Sequence, residues 1–365
     1  MTSEHIRVAV GLSGGVDSSV AAAMLVEQGY DVIGIMLRLW SMPGHEENNR
    51  CCTPDAMVIA RRVAAKLGIP FYALDAGELF YQQVVQSFVL EYAAGFTPNP
   101  CLLCNKTIRW GYMLAQAQNL GANYLATGHY ARIIKDSDGQ AHLLRGLDPG
   151  KDQSYVLSLL NQSQLGRTIF PLGMLAKSEV RQIAARFGLA AADRPDSQDL
   201  CFLGDEDYRD FLQMSCPESI QPGPILDRRR VRLGTHQGLP FYTVGQRKGL
   251  QIAASQPLYV ISKNPERNEL IVGIAAEMGR CSLQADHVNW ISGKPPSDRF
   301  DADVKIRYKA APVAAQIRIL EQQSVQMIFR DPLRDITPGQ VAVMYNGDEV
   351  LGGGLIAAWN EEDTP

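Results

Sequence analysis

The chain has 365 residues, more than one hydrophobic core usually supports, so two or three domains are expected. Apolar residues make up 46% and charged residues 20%, which excludes a disordered or fibrous chain. With 35 Lys and Arg against 39 Asp and Glu the net charge is −4, so a histone-like polycation is excluded and any nucleic-acid contact must come from local basic patches.

In chain order, Ile6–Val10 is a strand that runs into the glycine-rich SGGVDSS, and Ser18–Gln28 is a helix closed by Gly29. Asp31–Leu37 is the next strand, and Pro54–Leu67 a helix with Pro54 in its first turn and Gly68 as its C-cap. Phe71–Leu74, Glu78–Glu91, Lys106–Asn119 and Tyr124–Thr127 continue the alternation, which predicts βαβ units and a parallel sheet with its ligand site at the carboxyl ends of the strands. After about Gly204 helical periodicity fades and short alternating runs take over, at Pro257–Ser262, Glu269–Val272, Ala302–Ile306 and Ala314–Ile319, with a turn at Asn346-Gly347. The expectation is an α/β protein: a parallel-sheet domain over 1–205, a central β-rich domain over 206–282 and a C-terminal β-barrel over 283–365. No run of about 18 apolar residues reads as a membrane helix, and the opening MTSEHIRVAVGL, with Glu4, is unlike a signal peptide. Seven Cys is an odd, modest number that suits a reducing, cytoplasmic compartment, where spaced thiols read as catalytic, redox or metal-binding.

Residues 11–18, GLSGGVDS, lie between a strand and a helix. Gly14 and Gly15 let the backbone approach an anion, and Ser13, Ser18 and the helix N-terminal N–H groups can donate to phosphate oxygens. No Gly-Lys-Ser/Thr follows, so this is not a Walker A loop, and it does not match GxGxxG. Of the cysteines, Cys101 and Cys104 form CLLC just before a helix expected to begin near Lys106, and Cys201 lies in RPDSQDLCFLG. A thiol near a helix N-terminus and beside Lys106 or Arg109 should have a lowered pKa. Cys216 and Cys281 read as buried small hydrophobes, and Cys51-Cys52 as part of a polar loop without a catalytic role. Cys101, Cys104 and Cys201 are too few for a structural zinc site but enough for an iron–sulfur cluster with one open iron. Basic clusters at 227–232 (DRRRVR), 246–248 and 305–309 (KIRYK) point to RNA phosphates, with Tyr308 able to stack on an unpaired base. His129 and Tyr130, at a strand end, are candidates for a nucleotide or RNA contact.

The strand–SGGxDS–helix unit resembles the pyrophosphate loop of ATP pyrophosphatases, which implies ATP and a Mg²⁺ ion held with the help of Asp17. The ordered set GLSGGVDSSVAA, GIMLRLW, GFTPNPCLLCNKTIRW, ATGHYAR, GKDQSYVLSLL, RPDSQDLCFLG, YTVGQRKGL, KIRY and PGQVAVMY spans residues 11–345 and closely resembles the tRNA-specific 2-thiouridylase family of that superfamily. The resemblance implies an ATP-dependent tRNA sulfurtransferase. It would adenylate the C2 oxygen of the wobble uridine and replace that oxygen with sulfur from a cysteine persulfide. Cys201 would carry the persulfide and Cys104 would be its nucleophilic partner, the two closing as a disulfide after delivery. It further implies ATP contacts at Gly11, Leu12, Ser13, Gly14, Gly15, Val16, Asp17, Ser18, Leu37 and Gly128. Implied tRNA contacts are Asn99, Pro100, Cys101, His129, Lys151, Asp152, Gln153, Arg307, Tyr308 and Gln340. Asp196, Ser197 and Asp199 would shape the Cys201 loop. Many members of the family carry Asp where this chain has Cys101. Implied partners are the tRNAs for Lys, Glu and Gln and a cysteine desulfurase or sulfur-relay protein; an RNA-sized partner favours a monomer. Two other readings stay open: an ATP-dependent C–N ligase using the same loop, and a non-catalytic tRNA-binding or iron–sulfur protein.

Overall fold

A computed structural model describes residues 6–42, 53–189, 200–204, 206–321 and 323–357. Cys51, Cys52, Asp196, Ser197 and Asp199 lie outside the described residues.

The first sheet contains β1 (Arg7–Gly11), β2 (Asp31–Arg38), β3 (Phe71–Asp75), β4 (Tyr124–Ala126) and, after the hairpin β5 (Ala131–Lys135)–β6 (Ala141–Arg145), β7 (Thr168–Ile169). Its order is β3-β2-β1-β4-β7 and every pairing is parallel. Both faces are covered, as a parallel sheet requires. Val8 and Val10 of β1 pack with helices α1 (Val16–Glu27) and α2 (Pro54–Leu67) and the helix Lys177–Arg186. Ala9, Ile33 and Ile35 face the other way, onto Trp110, Met113 and Ala117. The period-2 alternation of two short strands thus assigns each helix to a face. Strand order reverses between β1 and β4, so the crevice outside their carboxyl ends is where a ligand site is expected.

Beyond residue 204 the chain first makes a helix, Tyr208–Ser215, where fading periodicity had suggested none; Asp207 caps it by accepting from Arg209 N at 2.8 Å, and Phe211 and Leu212 anchor it. A four-stranded sheet follows, from β8 (Gly223–Leu226), β9 (Arg232–His236), β10 (Tyr259–Asn264) and β11 (Glu269–Gly273), in the order β10-β11-β8-β9. The remaining strands, β12 (Arg280–Trp290), β13 (Arg299–Lys305), β14 (Val313–Glu321), β15 (Ser324–Leu333), β16 (Val341–Asn346) and β17 (Glu349–Ile356), form an antiparallel barrel that the β12–β17 pairing closes. Closure removes the exposed edges. Gly347, with φ +57, makes the turn expected at Asn346-Gly347. Cys281 corrects an expectation: the β12–β15 register shifts between Arg280 and Ser282, and that bulge leaves Cys281 exposed. Cys216 is buried, its thiol donating to Leu212 O at 3.3 Å. No helix among the described residues is long and apolar enough to cross a membrane.

The first domain and the barrel share structure. Leu144 of β6 pairs with Glu349 of β17, and His142 of β6 bonds Glu349 Oε1 at 2.6 Å and Asp136 Oδ2 at 3.3 Å. The Glu349 bond, followed by Asp136, raises the imidazole pKa above 6.5. A raised histidine stabilises fully below its unfolded value and loses that contribution as pH climbs through its folded one. His142→Gln is therefore expected to lower the thermal midpoint more at about pH 6 than at about pH 8.5, as read by unfolding scans of both proteins across that range.

Candidate active site

The loop after β1 is built by its own small residues. Ser18 Oγ donates to Gly15 O at 3.1 Å and accepts from Ser13 N at 3.2 Å, while Ser19 Oγ donates to Gly15 O at 2.8 Å. Gly14 has φ +71, and a Cβ there would sit 2.5 Å from Ala56 O, so α2 presses directly on the loop. Gly15 caps α1 without a side chain, which leaves the first N–H groups of the helix facing the crevice. From the β4 side, a Cβ on Gly128 would lie 2.7 Å from both Asp17 C and Ser18 N. Only glycine lets the end of β4 and the start of α1 come this close.

Between them is a cavity of about 180 Å³. Gly11, Leu12, Ser13, Asp17, Ser18, Leu37 and Gly128 line it. Gly14, Gly15 and Val16 are not on this lining, and Val16 is buried in the core. Asp17 is the one carboxylate on this lining among the described residues. Lys177 Nζ donates to both of its oxygens, at 2.7 and 2.8 Å, and the Tyr130 hydroxyl to Oδ1 at 2.8 Å. Lys177 escaped sequence reasoning; its local signal is Ala176-Lys177-x-Glu179, where Glu179 accepts from Ala176 N at 2.7 Å and opens a helix with a lysine facing the loop.

The helix carrying CLLC begins earlier than expected. It runs without a break over 100–119, with π-wide turns from Cys104 to Met113. Asn99 is its cap, accepting from Cys101 N at 3.1 Å, and Pro100 takes the first helical position. Asn-Pro is thus the helix start, ahead of Lys106. Cys101 thus sits in the first turn and Cys104 in the second, where the helix dipole acts less. Lys106 is exposed, whereas Arg109 lines the same cavity walls as Cys104.

A second cavity, of about 760 Å³, adjoins the first. Cys104, Arg109, His129 and Gln153 line both, and Asn99, Pro100, Cys101, Cys201 and Tyr308 line the larger one alone. Cys201 reaches it because Phe202 is driven into an aromatic cluster, edge-on to Phe80 at 6.0 Å and Phe88 at 5.3 Å, and Cys104 belongs to the same cluster. Two thiols remote in sequence thereby line one chamber, and Cys101, Cys104 and Cys201 are all present as thiols.

His129 is 7% exposed. Burial, with the Arg109 guanidinium second, holds its pKa well below the ordinary value, so the ring is neutral. Arg109 Nη1 lies 3.4 Å from Nε2, which leaves the ring proton on Nδ1, donated to Thr127 Oγ1 at 2.7 Å. Gln153 fixes the neighbouring backbone through its Oε1, which accepts from Tyr130 N at 3.0 Å. Lys151 and Asp152 lie outside both linings, Asp152 being occupied by Gly146 N, Ser154 N and the Ser154 hydroxyl, each at 3.0 Å.

The barrel contributes Tyr308, whose ring lies 5.9 Å from Lys305 Nζ. Burial, then Asp152 and Cys101, pushes its pKa up. Arg307 donates to Asp335 O at 2.7 Å and Thr337 Oγ1 at 3.2 Å, bracing a loop of the barrel. Gln340 Nε2 donates to Thr97 O at 2.7 Å, and Thr97 N to Pro338 O at 2.9 Å, so the barrel grips the segment just before Asn99. No three His, Cys, Asp or Glu side chains among the described residues are placed to hold a metal ion. Cys101, Cys104 and Cys201 line one chamber but are not grouped to hold a single metal ion.

Family models match the chain in three consecutive blocks, described as a tRNA methyl transferase HUP domain at residues 6–205, a tRNA methyl transferase PRC-barrel domain at 209–274 and an aminomethyltransferase beta-barrel domain at 280–356. The protein named tRNA-specific 2-thiouridylase MnmA from Geobacter metallireducens is 48% identical over 357 residues, covering 96% of this chain and 97% of that one. Its namesake from Carboxydothermus hydrogenoformans is 46% identical over 354 residues, with the same coverages of 96% and 97%.

Proposed function

This chain belongs to the tRNA-specific 2-thiouridylase family, and from that premise we propose that it exchanges the C2 oxygen of the wobble uridine of tRNA for sulfur at the expense of ATP. The observation that carries the reading is Cys104, which faces the loop cavity on one side and shares the larger chamber with Cys201 on the other.

In this reading ATP places its phosphates on the loop after β1 and its base against Leu37. A target uridine swung out of the anticodon loop enters the larger chamber, where Tyr308 offers a stacking face. The uracil O2 attacks the α-phosphorus, the bond to the β-phosphate breaks, and pyrophosphate leaves. Arg109, on the wall between the cavities, offsets the charge that builds there. Asp17 suits a Mg²⁺ ion that draws most of its ligands from phosphate and water, and the ion would neutralise charge on the leaving pyrophosphate. Lys177 then exchanges its bond to Asp17 for one to the phosphates.

Sulfur arrives as a persulfide on Cys201. The Cys104 thiolate attacks the Cys201 sulfur, the bond to the terminal sulfur breaks, and hydrosulfide leaves to attack C2 as AMP departs with the original oxygen. If the terminal sulfur attacks C2 first, Cys104 cleaves the resulting mixed disulfide instead. Both orders end in a Cys104–Cys201 disulfide. The tRNAs for Lys, Glu and Gln are the proposed substrates, and a cysteine desulfurase or relay protein the proposed donor.

The test is mass analysis of nucleosides from unmodified tRNA incubated with the protein, Mg-ATP and a cysteine desulfurase with cysteine, which supplies sulfur at the persulfide level. 2-Thiouridine with matching AMP is expected; thiolation that survives alkylation of the cysteines would contradict the assignment. Lys177→Met should slow pyrophosphate release about 10²-fold, the usual scale for one charge-stabilising donor, as measured in a coupled pyrophosphate assay.

A further inference from the structure

Three thiols line the larger chamber, and they differ in access. Cys201 is half-buried, Cys104 is 8% exposed and Cys101 is exposed. Cys101 and Cys104 are three residues apart in one helix, hence on one face, with Cα atoms about 5 Å apart in any helical turn. That spacing is within the range a disulfide spans. Cys101 lies in the first turn, its backbone N–H donating to Asn99 Oδ1 at 3.1 Å, with its side chain exposed.

We propose that Cys101 is a resolving thiol that takes over the disulfide left by sulfur transfer and presents it to solvent. The inference rests on the sulfur-transfer reading above and extends it to the return half of the cycle. After delivery the oxidation is stored between Cys104 and Cys201. The Cys101 thiolate attacks Cys104 Sγ, the bond to Cys201 breaks, and Cys201 leaves as a thiolate ready to be reloaded. The new bond joins Cys101 to Cys104, and no electrons are gained or lost in the exchange. A dithiol reductant then attacks Cys101 at the chamber mouth and carries the oxidation away as its own disulfide, returning both thiols. Direct reduction of Cys104–Cys201 would require that reductant to reach sulfurs lying deeper in the chamber.

Two measurements test this. Wild-type protein is quenched with an alkylating agent after one turnover without reductant and digested under non-reducing conditions. The tryptic peptide that holds both Cys101 and Cys104 is expected to be lighter by two hydrogens and resistant to alkylation. Recovery only of a cross-link between the Cys104 and Cys201 peptides would overturn the proposal. In Cys101→Ser, the ratio of steady-state to first-turnover rate, with a dithiol protein as reductant, is expected to fall about tenfold, and excess dithiothreitol should restore it. An unchanged ratio overturns the resolving role alone. Absence of any first turnover in the wild-type protein overturns the sulfur-transfer reading as well.

Discussion

Exchanging Cys201 for serine is expected to cut 2-thiouridine formation roughly 10³-fold or more while pyrophosphate release from ATP in the presence of tRNA continues. Serine keeps the size of the side chain but cannot hold a transferable sulfur, so the loss falls on one step of two. The Phe202 anchor lies in the aromatic cluster with Phe80 and Phe88, and an oxygen for sulfur change at Cys201 leaves that packing in place. Cys104→Ser should give the same end result by another route: the persulfide loads on Cys201 but is not discharged. Mass analysis of the Cys201 peptide separates the two variants: it carries no sulfur in Cys201→Ser, and in Cys104→Ser it keeps the sulfur, as a persulfide or joined through it to the tRNA. Equal thiolation by wild type and Cys201→Ser with a desulfurase as donor would end the persulfide assignment.

Gly128→Ala is expected to be nearly as damaging, at the other step. The added methyl group would sit 2.7 Å from Asp17 C and Ser18 N and 2.9 Å from Asp17 Cβ. The first two are backbone atoms at the start of α1, so no side chain can swing aside. Relief requires β4 and the loop to separate, which costs about 1–3 kcal/mol of stability. Displacement of Asp17 and Ser18 by as little as about 1 Å should lower adenylation by about 10²-fold. Pyrophosphate release and a thermal scan read the two effects. Gly14→Ala, aimed at Ala56 O and a positive φ, should act in the same direction.

Local signals carried much of the fold. Val8 and Val10 against Ala9 set the two faces of the sheet, and Pro54 and Gly68 bound α2 where spacing and caps predicted it. The strand–loop–helix unit at 11–18 was legible because Gly14 and Gly15 mark a tight backbone turn ahead of α1. Other features depend on distant partners. Nothing near Leu144 announces that β6 will join β17 of the barrel. Gln340 reads as an RNA contact by resemblance, yet its amide holds Thr97 O across the domain junction. Lys177 looks like an ordinary helix-start lysine until the fold brings it to Asp17. The CLLC helix starts before Lys106 for a local reason: Asn99 caps it and Pro100 suits its first position.

The most direct measurement follows the sulfur itself. Protein carrying a persulfide of isotopically heavy sulfur on Cys201 is mixed with an equimolar amount of unmodified tRNA and Mg-ATP, without other sulfur, and sampled through one turnover. Heavy sulfur should leave the Cys201 peptide at the rate at which it enters C2 of the wobble uridine, with one AMP released for each atom transferred. Retention of the label on Cys201 while AMP accumulates would contradict the central claim.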